Sequence, residues 1–294
     1  MSFKIIVNPT AGRGRLGRQL PQLDSWLKSL GLKYELATTD APGHASELAA
    51  EAASRGWETV VAVGGDGTMN EVLNGIIDTP AHMGFIPAGT GNDFARTLGI
   101  PLNMKKAAEV LASGKTVPMD IGRDTDGCFS IILGLGFPSD VMHHVNTTKN
   151  IFRGSLAITV SILQVVNKLQ PYPVHIQMDD NSFSATVMGI FILNTRFTGG
   201  GLQIAPHAVY DDGLLDVVVM HEMKKTNFLR TLPKAYKGTH LRNPAVEVFR
   251  TTKISVTSAE PMAKLFDGNV FGHSPVEAHI MPAALRVWVP GDGK

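Results

Sequence analysis

Cysteine is nearly missing from this sequence: Cys128 stands alone among 294 residues, which excludes an intrachain disulfide. No cysteine and histidine cluster has zinc-ligand spacing, and the histidines, including the pair His143-His144, have no partner at metal-ligand spacing. A reducing compartment fits such a chain. An excess of one charge is also lacking. With 27 Lys and Arg against 26 Asp and Glu, the formal net charge is +1, which argues against a protein that coats nucleic acid by global charge. Long apolar runs are absent as well. The longest, Ala157 to Val166 and Ala185 to Leu193, fall short of the roughly 20 residues that a spanning helix needs. Met1 to Thr10 reads as a strand and a polar turn, unlike the charged start and apolar middle of a signal peptide. These absences lead to the expectation of a cytoplasmic protein whose membrane contact is peripheral, at the inner face.

What is present is core-forming material, 44% hydrophobic and 18% charged residues. The length lies near the size at which one core stops growing, so two domains are expected. Strand-like and helix-like runs alternate at the start: Lys4 to Val7, Leu16 to Leu30, Lys33 to Thr38, Ala45 to Arg55, Thr59 to Val63, Met69 to Ile77, Met83 to Ile86, Phe94 to Gly99 and Met104 to Ser113. That order predicts a parallel sheet with crossover helices. From about Val117 the pattern becomes β runs broken by turn signals such as Asp126-Gly127, Asp179-Asp180-Asn181, Asp212-Gly213 and Asp267-Gly268. Two helical interruptions, Ser155 to Leu169 and Asn227 to His240, are expected there. The fold class is therefore α/β plus β: a Rossmann-like nucleotide domain with a parallel sheet, then a β-sandwich-like domain. The expected borders are residues 1–120, residues 121–284, and a C-terminal strand, 285–294, that returns to the first domain.

The chemistry concentrates in three glycine-rich loops, each placed after a strand. Val61-Ala62-Val63 runs into Gly64-Gly65-Asp66-Gly67-Thr68-Met69-Asn70-Glu71, and Met83-Gly84-Phe85-Ile86 runs into Pro87-Ala88-Gly89-Thr90-Gly91-Asn92-Asp93. The third, Asn8-Pro9-Thr10-Ala11-Gly12-Arg13-Gly14-Arg15, adds two arginines. Glycine lets a backbone approach a phosphate closely, and free N–H groups at a helix start attract negative charge. In open α/β sheets ligands bind beyond the carboxyl ends of the strands, so the three loops together make a nucleotide site. Asp66 would repel phosphates unless Mg²⁺ or a transferable proton lies between, and both belong to phosphoryl transfer. The bland reading makes Asp66 an N-cap in a tight strand-to-helix turn. Gly12 to Gly17 also matches a dinucleotide fingerprint, but Asn8 to Ala11 separate it from its strand. No G-x-x-x-x-G-K-[ST] sequence occurs.

Gly64-Gly65-Asp66-Gly67-Thr68 with Asn70-Glu71, the Pro87 to Asp93 loop and Asn8-Pro9 together resemble the diacylglycerol kinase catalytic domain, whose superfamily includes sphingosine kinases and NAD kinases. The resemblance continues through Gly134-Leu135-Gly136-Phe137, Pro206-His207-Ala208, Asp211 to Asp216, Asp267-Gly268 and Met281 to Leu285, and favours the bacterial-type lipid kinases. It implies a phosphotransferase that moves the γ-phosphoryl group of ATP to a lipid hydroxyl, with diacylglycerol as the first expected acceptor. ATP is then expected at Asn8, Thr39, Gly64, Gly65, Asp66, Gly67, Thr68, Met69, Asn70, Gly89 and Thr90. A structural Mg²⁺ is expected on two backbone carbonyls and one carboxylate around the Asp-Gly-Leu turn, at Val209, Asp212 and Leu214, and substrate contact at Asp140.

One position departs from the family. Its proton acceptor is a glutamate after Asp-Gly, where this chain has Asn269, which takes no proton usefully. Asp267 or Asp66 then serves as base, or the enzyme is slow, or the protein binds nucleotide without turnover. General-base help is worth about 10²- to 10⁴-fold, so its loss need not abolish transfer. A kinase of a soluble substrate, similar to NAD kinase, is the other alternative. The apolar stretch Gly154 to Leu169 reads as a core helix or as one wall of an acyl-chain cleft. Lys224, Lys225, Arg230, Lys234, Lys237 and Arg242 accumulate around a single acid, Glu222, and read as a solvated face or as a contact for anionic membrane. The expected partner is membrane lipid, not nucleic acid; a homodimer is compatible with the sequence.

Overall fold

The computed structural model describes residues 1–147 and 155–291. The chain divides into two compact units, Met1–Met119 with Ala283–Lys294, and Asp120–Pro282.

The first unit follows the alternation in the sequence: β1 (Ser2–Val7), α1 (Ala11–Ser29), β2 (Lys33–Thr38), α2 (His44–Ser54), β3 (Thr59–Gly64), α3 (Asp66–Ile76), β4 (His82–Pro87), α4 (Asp93–Thr97) and α5 (Met104–Ser113). β1 lies between β2 and β3, β4 flanks β3, and all of these pairs are parallel. Every residue of β3 is buried, whereas β2 at the edge alternates. Burial on both faces explains why Thr59-Val-Val-Ala-Val-Gly64 reads as an apolar run and not as an alternation. α1 differs from the expected Leu16 start. Gly12, Arg13 and Gly14 all have positive φ (59°, 59° and 76°), so a left-handed stretch joins β1 to the regular helix.

β5 (Lys115–Asp124) runs from the first unit into the second, which continues with β6 (Gly127–Phe129), β7 (Ile132–Gly136), α6 (Phe137–Thr147), α7 (Ser155–Lys168), β8 (Tyr172–Met178), β9 (Ser182–Leu193), β10 (Phe197–Thr198), β11 (Leu202–Gln203), β12 (Leu215–His221), α8 (Lys225–Thr231), β13 (Val246–Thr251), β14 (Lys253–Ser258), β15 (Ala263–Phe266), β16 (Asn269–His273) and β17 (Val276–Val289). β17 serves both units: Lys253 to Val256 pair antiparallel with its first half, and Val287 pairs parallel with Met83 of β4. Within the second unit the strand pairs among the described residues are antiparallel. β9 explains the layering. Its first half alternates exposed and half-buried residues against β8, and Val187 to Leu193 are all buried, flanked by β7 and β12. Ile190, Ile192, Leu133, Leu135, Val217 and Phe266 belong to the resulting core.

Two local expectations need correction. Asn227 to His240 is not one helix: α8 gives way to 3₁₀ turns at Leu232–Lys237 and Thr239–Arg242. Pro233 cannot donate to a continuing α-helix, and Gly238 takes a left-handed φ of 68° between the two turns. α6 was hidden because Gly134 to Phe137 carries the signals of a turn. Gly154, the start of the stretch read as a core helix or cleft wall, lies outside the described residues. Among the described residues no helix is long and apolar enough to cross a membrane.

Candidate active site

In a parallel sheet every strand delivers its last residue to the same edge. The chain leaves β1 for β2 on one side and returns to β3 on the other, which makes the end of β1 a topological switch point. Asn8 sits there. Its N–H donates to the Val63 carbonyl at 3.0 Å, and its Nδ2 donates to Thr68 Oγ1 at 3.0 Å. Its Oδ1 accepts from the N–H and hydroxyl of Thr10 at 3.0 and 2.7 Å. Thr39 follows β2 and is buried, its N–H donating to the Val7 carbonyl at 2.9 Å.

The two glycine-rich turns press against each other. The Gly64 carbonyl accepts from the N–H groups of Ala88 and Gly89 at 2.7 and 3.1 Å. A Cβ at Gly89 would lie 2.4 Å from the Gly65 Cα, so backbone occupies the space a side chain would need. Asn92 clamps the same glycine, accepting from Gly89 N at 3.0 Å and donating to Gly89 O at 3.1 Å. Asp66 opens α3, but it is not the N-cap of its own helix. Gly65 holds that place, and Asp66 Oδ1 accepts from Phe94 N at 3.3 Å, capping the helix of the other loop. Thr68, Met69 and Asn70 are buried in α3, Glu71 accepts from Ala45 N at 3.2 Å and anchors α2, and Thr90 is exposed at the tip of its loop. Arg13 and Arg15 are exposed on the third loop. The structure thus brings Asn8, Thr39, the Gly64 to Asn70 turn, Gly89 and Thr90 to one edge of the first unit.

Burial raises the Asp66 pKa, against the backbone N–H groups of Phe94, Asp93 and Asn92 and the charge of Arg96, which favour the anion. Its carboxylate therefore holds a proton more readily than an exposed aspartate.

Asp267 has the opposite surroundings. It occupies the turn between β15 and β16 with a φ of 54° and is 4% exposed. One oxygen accepts from the N–H groups of Ile131 and Ile132 at 2.8 and 2.9 Å, the other from Ser130 N and Oγ at 3.0 and 3.2 Å. A carboxylate offers roughly four acceptor sites, and four donors fill them. This corrects the expectation that Asp267 is available as a base: the geometry makes it the clamp between the hairpin and Ser130 to Ile132. Asn269 begins β16, half-buried, opposite Phe266.

Of the residues expected to hold a structural Mg²⁺, Asp212 is engaged with a different cation. Arg250 ion-pairs with Asp212, whose Oδ1 also accepts from Leu214 N at 3.1 Å, while Val209 is exposed. Arg250 Nε lies 3.8 Å from the buried Asp216, whose Oδ2 has no hydrogen-bond partner. The Asp216 pKa is pushed up to about 6, chiefly by burial. The Asp212 carboxylate is thus already shared by a guanidinium and a backbone N–H, and a divalent ion there would have to displace Arg250. Among the described residues no group of three acids, histidines or cysteines could hold a metal.

Asp140 lies in the first turn of α6, half-buried, with its pKa raised by burial. Next to it, Val141 and Met142 line an apolar chamber of about 70 Å³, walled also by Phe137, Phe191, Met220 and Leu265. Phe137 meets Phe228 of α8 edge-on, with centroids 4.7 Å apart. Among the described residues Thr198, Thr231 and His240 supply its polar side chains. His240 is 4% exposed and neither ring nitrogen completes a hydrogen bond; burial holds its pKa below the usual histidine value, partly offset by the nearby Ile204 backbone. Sequence reasoning missed Asn92, Arg250 and His240. Asn92 had a signal, an asparagine in a glycine-rich loop that tolerates left-handed backbone; Arg250 and His240 had none, because their partners are distant in sequence.

The diacylglycerol kinase catalytic domain family matches residues 2–123, and the YegS C-terminal, NAD kinase β-sandwich-like domain matches residues 132–289. Diacylglycerol kinase of Bacillus subtilis is 32% identical over 98% of this chain and 96% of its own. That of Mycobacterium tuberculosis is 32% identical over 98% and 95%. A solved Bacillus anthracis structure superimposes with a TM-score of 0.83 at 25% identity, covering 98% of this chain and 95% of that one. The chain belongs to the diacylglycerol kinase family of lipid kinases.

Proposed function

We infer that this protein transfers the γ-phosphoryl group of ATP to a lipid hydroxyl, with diacylglycerol as the acceptor. The observation that carries the reading is the interlocked edge of the first unit, where Gly65 and Gly89 meet backbone to backbone. Such a surface suits a polyphosphate because no side chain keeps the anion away, and the start of α3 presents the positive end of its dipole. Asn8, Thr39, Gly64 to Asn70, Gly89 and Thr90 hold the nucleotide, which arrives with its own Mg²⁺. Nothing in the transfer passes through Val209, Asp212 and Leu214.

Phosphoryl transfer depends mainly on positioning and charge stabilisation. Asp66 is the carboxylate for the work: it stands in the phosphate turn, and burial raises its affinity for a proton. Asp267 keeps a scaffold role, and Asn269 withholds the family's proton acceptor, so turnover is slow. The apolar chamber of the second unit takes the acyl chain.

The test is transfer of labelled γ-phosphate from ATP with Mg²⁺ to a lipid panel in mixed micelles, with Asp66→Asn in parallel. A labelled lipid that vanishes in the variant supports the kinase and names its acceptor. ATP binding with no product from any lipid would instead support the second reading, nucleotide binding without turnover, which Asn269 and the engaged Asp267 favour.

A further inference from the structure

The stretch from Lys224 to Arg242 has two faces of opposite chemistry. Phe228, Thr231, Leu232, Ala235 and His240 line the chamber. Lys224, Lys225, Arg230, Lys234, Lys237 and Arg242 are exposed. Local structure makes this division. Phe228, Thr231 or Leu232, and Ala235 recur at helical spacing, and the 3₁₀ turn Leu232–Lys237 stacks Leu232 over Ala235 on one side. The stretch is pinned at one end, where Lys225 Nζ donates to the Asn167 carbonyl at 2.6 Å, in the last turn of α7. Lys224, Arg230, Lys234, Lys237 and Arg242 form no ion pair among the described residues.

A merely solvated basic face has no use for large apolar side chains. Here Leu229 and Tyr236 are 38% and 43% exposed among the cations. Cations interleaved with an aliphatic and an aromatic side chain match the surface of an interfacial segment, in which the charges meet anionic headgroups and the apolar groups enter between them. The inner face adds a second observation, because it closes a cavity that contains an imidazole lacking a hydrogen-bond partner.

We propose that Lys224 to Arg242 is a membrane-docking roof, which rests on an anionic bilayer and admits a lipid chain from that bilayer into the chamber beneath it. The occupant of the outer face is the lipid surface. The inner face receives one lipid, and His240 hydrogen-bonds an ester or hydroxyl oxygen on it. The second part rests on the lipid kinase reading, and the first stands without it.

The experiment is flotation of the full chain with vesicles of phosphatidylcholine alone and of phosphatidylcholine with phosphatidylglycerol, using wild type, Lys234→Glu with Lys237→Glu, and Ala235→Trp. Wild type should float only with the anionic vesicles. The double reversal should weaken that binding by at least about tenfold, since each cation near such a surface contributes favourably. The reversal should leave transfer to a short-chain, water-soluble acceptor unchanged, so a failure of docking is separable from a failure of the kinase reading. Ala235→Trp fills the chamber from its roof. It should float like wild type yet lose transfer to a long-chain acceptor in vesicles. Equal binding to neutral vesicles, or binding unmoved by the double reversal, would overturn the proposal. A dimer that the reversal dissociates, without vesicle binding, would assign the face to a second copy and overturn it equally. Thermal melting of each variant separates these outcomes from misfolding.

Discussion

The two units expose their functional residues by different routes. In the first, strands are parallel, so each contributes the residues after its own last position to one edge, and the site consists of short contiguous segments at 8–15, 64–70 and 87–93. In the second, strands are antiparallel and no edge collects their ends. Its chamber and turns draw on residues from Ile132 to Leu265. The difference extends to their acids. Asp66 joins its own turn to the N–H groups of Asn92, Asp93 and Phe94 at the ligand edge, whereas Asp267 takes its four donors from Ser130 to Ile132 within the second unit.

The largest expected effect separates those two carboxylates. Asp267→Ala leaves buried N–H groups without a partner and should cost about 3 kcal/mol or more of stability. Asp66→Asn retains an acceptor oxygen and should cost about 1 kcal/mol or less while transfer is lost. Urea unfolding beside a phosphotransfer assay tests the pair; a stable but inactive Asp267→Ala would reverse the assignment.

Next comes a pH window confined to the second unit. Because burial lifts Asp216 to about 6, the folded chain holds a proton that the unfolded chain has already released. Stability should therefore fall as pH rises from about 4 to about 6, by up to about 3 kcal/mol, and stay reduced above that. Asp216→Asn should remove the slope and stabilise the chain at neutral pH but not at the acid end. Denaturation midpoints across this range that do not differ between wild type and variant would remove Asp216 as the cause.

Gly89→Ala sharpens the contrast from the other side. Its Cβ meets the Gly65 backbone, so the loops must part, at a cost of about 2 kcal/mol. ATP affinity measured by calorimetry should fall by at least about tenfold, with binding of an apolar probe to the chamber retained. The smallest effect is expected for Thr68→Val, which removes the acceptor for Asn8 and should lower stability and ATP affinity by about 1 kcal/mol each.

Much of the first unit was legible because periodicity and punctuation agree there: Thr59 to Gly64 is apolar throughout, and glycine stops it where the chain must turn. The second unit was legible as a class, β-rich and sandwich-like, but less so in detail. Pro233 and Gly238 broke a helix that the apolar pattern alone suggested, and α6 lay behind a Gly-Leu-Gly-Phe segment that reads as a turn. Arg250 beside Asp212 joins residues 38 apart, and no local pattern encodes such a pair.

By itself the sequence determined the fold class, the three loops and the family, because parallel strands convert order along the chain into position at one edge. Only the tertiary structure decided that Asp267 is fully engaged, that a guanidinium pairs with Asp212, and that the basic residues between 224 and 242 face away from the chamber. Each of those depends on which distant donor, charge or cavity lies opposite a side chain, and antiparallel packing sets that partner independently of neighbours in sequence.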